Sequence, residues 1–162
     1  MNNELQPGDR APAFRIETDD GGEISSARLK GQPYVLYFYP KDDTSGCTKE
    51  AIVFSEDKKK FDSLGATVIG VSKDTIASHK KFKQKHQLGI VLASDPDLVA
   101  AQAYGVWVEK SMYGRRYMGM ERATFLVDKT GVIRAVWRKV KVPGHVATVL
   151  QALRGMATAR KG

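Results

Sequence analysis

Apolar positions fall along the chain in two alternating rhythms. Residues 12–24 alternate apolar and polar side chains around Asp20-Gly21-Gly22, which predicts a short hairpin. Ser25 or Ser26 then caps a short turn of helix that stops at Gly31. Val35-Leu36-Tyr37-Phe38-Tyr39 is a continuous apolar run, the signature of a central strand covered on both faces. From Cys47 onward the period lengthens: Ala51, Phe54, Phe61 and Leu64 recur at helical spacing until Gly65 ends the pattern. Cys47 lies four residues before Ala51 on the same stripe. It therefore belongs to the helix's first turn and faces partly inward.

The alternation continues downstream. Residues 66–72 form a second buried strand, residues 75–86 a basic helix, and residues 90–93 a third strand. Asp95-Pro96 has the cap-then-proline form that starts a helix through Tyr104. Residues 123–127 and 132–137 flank Asp128-Lys129-Thr130-Gly131, a hairpin signal. A final helix from about Gly144 carries Val146, Val149, Leu150 and Leu153 on one face. This order predicts an α/β fold, a three-layer sandwich around a mixed sheet, in a single domain spanning residues 1–162.

Composition agrees with that picture: 162 residues with 42 % apolar content can bury a core. No run reaches membrane-spanning length, and the N-terminal residues lack the form of a signal peptide, so no membrane partner is expected. A lone cysteine forms no internal disulfide, and a reducing cytoplasm is the expected location. The formal charge of +8 is concentrated: from Arg122 onward there are nine Lys and Arg against one acid, Asp128. Read functionally, this is a basic anion-binding module. Read plainly, it is a solvated basic strand pair followed by a frayed tail over residues 156–162. No recognised nucleic-acid motif accompanies the charge, so the plain reading is preferred.

Cys47 is where chemistry concentrates. It follows the aromatic strand and the turn Pro40-Lys41-Asp42-Asp43-Thr44-Ser45-Gly46. A free thiol of pKa ~8.5 is about 3 % thiolate at pH 7, whereas one of pKa ~6 is about 90 % thiolate. A helix amino end favours that change through unpaired N–H groups, here including those of Gly46 and Cys47. Gly46 leaves room for a small molecule beside them, Thr44 offers a hydroxyl to cap the helix or meet sulfur or bound oxygen, and Pro40 shields the pocket. Taken alone, such a cysteine is equally well an inert core residue.

The neighbours decide. Pro40, Thr44 and Cys47 match the pattern Pro-x-x-x-Thr-x-x-Cys, and the segment resembles the peroxiredoxins, in particular the branch called bacterioferritin comigratory protein or peroxiredoxin Q. Gly105-Val106-Trp107 with Glu109-Lys110-Ser111, and Arg122 through Asp128 ahead of Gly131, extend the likeness from about Gly8 to Leu153. The resemblance implies a thioredoxin-like sandwich with an N-terminal β-hairpin. It also implies a thiol-dependent peroxidase for hydrogen peroxide and organic hydroperoxides that needs no cofactor.

By the same resemblance Cys47 is the peroxidatic nucleophile, oxidised to a sulfenic acid, and Arg122 is the arginine brought beside it. Glu50 orients Arg122 or is simply an exposed first-turn acid. Ser45 replaces a proline common in the family. Many relatives have a resolving cysteine at the position of Ile52 or of Lys83, and neither is cysteine here. The resemblance therefore implies a 1-Cys cycle finished by an external thiol such as glutathione, glutaredoxin or thioredoxin, in a monomer or weak homodimer. The contrasting reading is a redox-sensing or chaperone-like protein that forms mixed disulfides through Cys47.

Other candidates read as structure. His79, His86 and His145 have no metal-ligand spacing and are expected as solvated histidines on helices. Tyr113, Arg115, Arg116 and Tyr117 are expected in a loop near the active-site rim. Trp107 either lines the pocket entrance or fills core.

Overall fold

The strand β3 (Tyr34–Phe38) is buried along its whole length, and its alternation divides the molecule. Tyr34, Leu36 and Phe38 enter one apolar cluster, while Val35, Tyr37 and the following Tyr39 enter another on the opposite face. In this computed structural model, which describes residues 4–159 and the side chains through Met156, β3 lies inside a seven-stranded sheet. The order is β2 (Glu23–Ser25), β1 (Arg15–Thr18), β5 (Val91–Ser94), β4 (Thr67–Ser72), β3, β8 (Ala123–Val127) and β9 (Ile133–Trp137). β3, β4 and β5 run parallel and the remaining neighbours antiparallel. The result is the mixed-sheet, thioredoxin-like sandwich with an N-terminal hairpin that the sequence implies.

Helices cover the two faces unequally. Residues of α1 (Ser45–Glu56), α2 (Lys58–Ser63), α3 (Ile76–His86) and α5 (His145–Ala159) join the cluster that holds Cys47. The opposite cluster is closed by Phe14, Leu29 and the short α4 (Val99–Ala103). In α5, Val146, Val149, Leu150 and Leu153 are buried, as their spacing requires. α5 continues to Ala159, so the tail expected from residue 156 begins as helix; residues 160–162 lie outside the described residues.

Several elements differ from expectation. The long helix after Cys47 is bent into α1 and α2 at Asp57 (φ −93°, ψ 6°), while Phe54 and Phe61 remain on the buried side. Apolar periodicity does not register such a bend. The helix expected from Asp95-Pro96 starts only at Val99, after Leu98 adopts φ 61°. Asp95 still caps it from outside, accepting the N–H groups of Ala100 (3.2 Å) and Ala101 (2.8 Å). The expected rim loop is an antiparallel ribbon, β6 (Trp107–Met112) and β7 (Arg115–Met120), turning through Tyr113 and Gly114, both at positive φ. The basic last quarter is not simply solvated. Arg134 pairs with Asp128 at 2.6 Å, and Arg138 with Glu121 at 3.5 Å and Glu4 at 3.6 Å.

Candidate active site

Strand register assembles the site. β3 and β8 pair with Phe38 opposite Ala123, so the residue before Ala123, Arg122, arrives beside the turn that follows β3. That turn runs through Pro40 and through Asp43 at φ 60°, then enters α1 from Thr44 in extended geometry. The first intrahelical bond runs from Thr48 N–H to the Thr44 carbonyl at 2.8 Å. The N–H groups of Ser45, Gly46 and Cys47 precede it and are not used within the helix. Thr44 does not provide the expected side-chain cap; its hydroxyl donates to the Lys41 carbonyl at 2.8 Å.

Cys47 is 2 % exposed. Arg122 Nη2 donates to its Sγ at 3.2 Å, and Nη1 donates to Glu50 Oε1 at 2.7 Å. Glu50, one helical turn after Cys47, is fully buried, which overturns the reading of an exposed first-turn acid. Gly46 is pressed against the same guanidinium: a Cβ there would stand 3.1 Å from Arg122 Nη2. Pro40 and Arg122 reach the surface in a groove of about 640 Å³, walled by Val108, Lys110 and Tyr117 of the ribbon and by Lys139 and Val140. The structure thus brings Cys47, Glu50, Arg122 and Gly46 into one contact set, with Pro40 at its mouth.

The site's electrostatics follow from burial. Burial pushes the Glu50 carboxyl up to about 7 against the pull of Arg122. Burial opposes the Arg122 charge too, but Glu50 and Cys47 outweigh it and hold the guanidinium above its ordinary value. Tyr37 is held well above its usual range by burial, with Glu50 and Cys47 adding to the effect. Lys110 is lowered by burial and by Arg122.

Two of the three histidines contradict the solvated reading. His79 is fully buried, with Nδ1 2.7 Å from Asp42 Oδ2 and Nε2 2.9 Å from the Ala93 carbonyl. Asp42 also accepts from the Tyr39 hydroxyl (2.6 Å) and Ser78 Oγ (2.8 Å), so α3 is tied to the turn leading to Cys47. His145 is buried against Thr124 Oγ1 at 2.8 Å, and burial followed by the Arg122 charge lowers it to about 4. Only His86 keeps partial exposure, 2.8 Å from Asp43. Sequence reading missed Asp42 and His79 because 37 residues separate them. Asp42, an acid inside the turn that leads to Cys47, was the available signal.

Among the described residues no group of three or more His, Cys, Asp or Glu side chains is placed to hold a metal ion, and no helix is long and apolar enough to cross a membrane. The arrangement supplies a sulfur nucleophile, a fixed cation and free helix N–H groups, which suits attack on a small polar molecule whose leaving oxygen gains charge.

Comparison with known proteins agrees. Residues 7–136 match the model of the AhpC/TSA family. The chain is 49 % identical to a putative peroxiredoxin bcp of Coxiella burnetii over 92 % of its own length and 99 % of the relative's. It is 45 % identical to peroxiredoxin Bcp of Bacillus subtilis, covering 94 % and 98 %. A solved structure of a serine variant of Xylella fastidiosa peroxiredoxin Q superposes with a TM-score of 0.91 at 36 % identity, covering 96 % and 99 %. The bacterioferritin comigratory protein of Xanthomonas campestris, solved as trapped intermediate and ligand complexes, gives 0.85 at 40 % identity, covering 89 % and 92 %. With a single cysteine on this shared framework, the chain belongs to the AhpC/TSA family, in its Bcp/peroxiredoxin Q branch, and is a thiol-dependent peroxidase.

Proposed function

We propose that the whole chain, residues 1–162, acts as one catalytic unit in which Cys47 reduces hydrogen peroxide and organic hydroperoxides. The thiolate attacks one peroxide oxygen, the O–O bond breaks, and water or an alcohol leaves a Cys47 sulfenic acid. Arg122 stabilises the thiolate and the charge that develops on the leaving oxygen. The N–H groups of Gly46 and Cys47 donate to the peroxide. Thr44, its proton committed to Lys41, accepts the peroxide O–H. Pro40 closes the pocket wall, and Glu50 holds Arg122 in place.

The observation that carries this reading is the 3.2 Å contact between Arg122 Nη2 and Cys47 Sγ, formed across 75 residues of sequence. With Ile52 and Lys83 at the usual resolving positions, the reductant is an external thiol. Glutathione, glutaredoxin and thioredoxin are the candidates, met in a reducing cytoplasm by a monomer or weak homodimer. The test is peroxide consumption with each thiol in turn. Cys47→Ser should abolish turnover, and Arg122→Ala should slow Cys47 oxidation roughly 10²–10³-fold. Turnover retained by Cys47→Ser would refute the assignment of the nucleophile, and an unchanged oxidation rate in Arg122→Ala would remove Arg122 from the site.

A further inference from the structure

Arg122 is one cation shared by two acids. Its Nη2 meets Cys47 Sγ at 3.2 Å and its Nη1 meets Glu50 Oε1 at 2.7 Å. Both acids are sealed from water, and Glu50 Oε2 has no hydrogen-bond partner among the described residues. If both were ionised, the trio would carry a net negative charge in an apolar cluster, an arrangement that desolvation penalises heavily.

Beyond Arg122, the cation that acts on Cys47 is Lys110, and its charge is divided between Cys47 and Glu121. From β3, Tyr37 presents a buried hydroxyl without a partner. On α5, His145 is kept neutral by burial and by Arg122. Lys110 of β6 donates its ammonium to the Met120 carbonyl at the groove. In the turn before α1, Asp42 is bound to His79, Tyr39 and Ser78.

We infer that Cys47 and Glu50 hold one negative charge between them: Glu50 is protonated while Cys47 is a thiolate, and releases that proton when Cys47 is oxidised. The inference rests on Cys47 being the peroxide-reactive group. Its steps balance. The sulfur attacks the HO end of the peroxide, an S–O bond forms as the O–O bond breaks, and two electrons pass from sulfur to the peroxide. Hydroxide or alkoxide departs and takes up one proton. The neutral sulfenic acid no longer claims the guanidinium, Glu50 becomes its carboxylate partner, and the released proton balances the one consumed. Burial, which pushes Glu50 up to about 7, places the exchange within the working pH range. Glu50 acts through Arg122 and is a positioning residue that also stores a proton.

The test counts protons. Reduced protein is mixed with one equivalent of hydrogen peroxide at pH 8, above the value of about 7 to which burial pushes Glu50, in lightly buffered solution containing a pH indicator, and Cys47 oxidation is counted in parallel by mass spectrometry. Wild type should take up almost no proton per sulfur oxidised. Glu50→Gln, which retains an acceptor toward Arg122, should take up about one. Equal proton counts in the two proteins, or an uptake of one by wild type, would overturn the inference. Infrared difference spectra of wild type provide a second measurement independent of the variant's folding. A protonated-carboxyl C=O band should disappear on oxidation, and its absence or persistence would count against the proposal. Failure of Cys47 to oxidise would instead refute the functional reading beneath it.

Discussion

At Gly46 the width of one methyl group decides whether Arg122 keeps its place beside Cys47. An added Cβ would lie 3.1 Å from Arg122 Nη2, the nitrogen that meets the sulfur. The position is helical with no positive φ, so alanine suits the backbone and raises helix propensity by up to about 1 kcal/mol. Gly46→Ala should therefore keep or raise the melting temperature while slowing Cys47 oxidation by peroxide. A variant as reactive as wild type would show that the guanidinium can shift without loss. Cys47, proposed as the nucleophile, could be set beside Thr44 and Gly46 in sequence because the three lie within one turn of chain. The burial of Glu50 was not legible there, because the same position could as readily have faced water.

Between elements, register does the positioning. Pairing of Phe38 with Ala123 carries Arg122 to the sulfur, and pairing of Tyr37 with Gly70 lays the tyrosine ring over a glycine. A Cβ at Gly70 would stand 2.7 Å from the Tyr37 ring and hydroxyl. The ring is stacked on Phe54 at 4.7 Å and has little room to withdraw. Gly70→Ala should destabilise by about 1–3 kcal/mol, read as a lower denaturant midpoint; an unchanged midpoint would mean that the two strands can separate locally. The central strands were readable from sequence because burial on both faces makes them continuously apolar. The ribbon β6–β7 was not: its strands are largely exposed, and its turn is Tyr113-Gly114 rather than the usual Asn-Gly or Asp-Gly signal. The His79–Asp42 bond required α3 to be docked before either residue gained a meaning.

Across the whole molecule, two buried groups tilt stability in opposite directions. The native Glu50, at about 7 against an ordinary 4.5, binds more protons than the unfolded chain between those values, so its contribution makes stability fall as pH rises through that window. The native His145, at about 4 against 6.5, binds fewer, so its contribution is lost as pH falls from 6.5 to 4. From about pH 4.5 to 6.5 the two slopes oppose each other. Denaturant titrations should show a positive pH slope added in Glu50→Gln and a downward tilt added in His145→Gln, each relative to wild type. Unchanged slopes in both variants would mean that neither group changes protonation on unfolding. The alternation of β3 has a practical result for anyone wishing to redesign the protein. Phe14, Leu29 and Tyr104 belong to the cluster across the sheet from the one that holds Cys47. Changes there and changes around the sulfur work as two separate dials, one for robustness and one for reactivity, which can be turned in either order and combined.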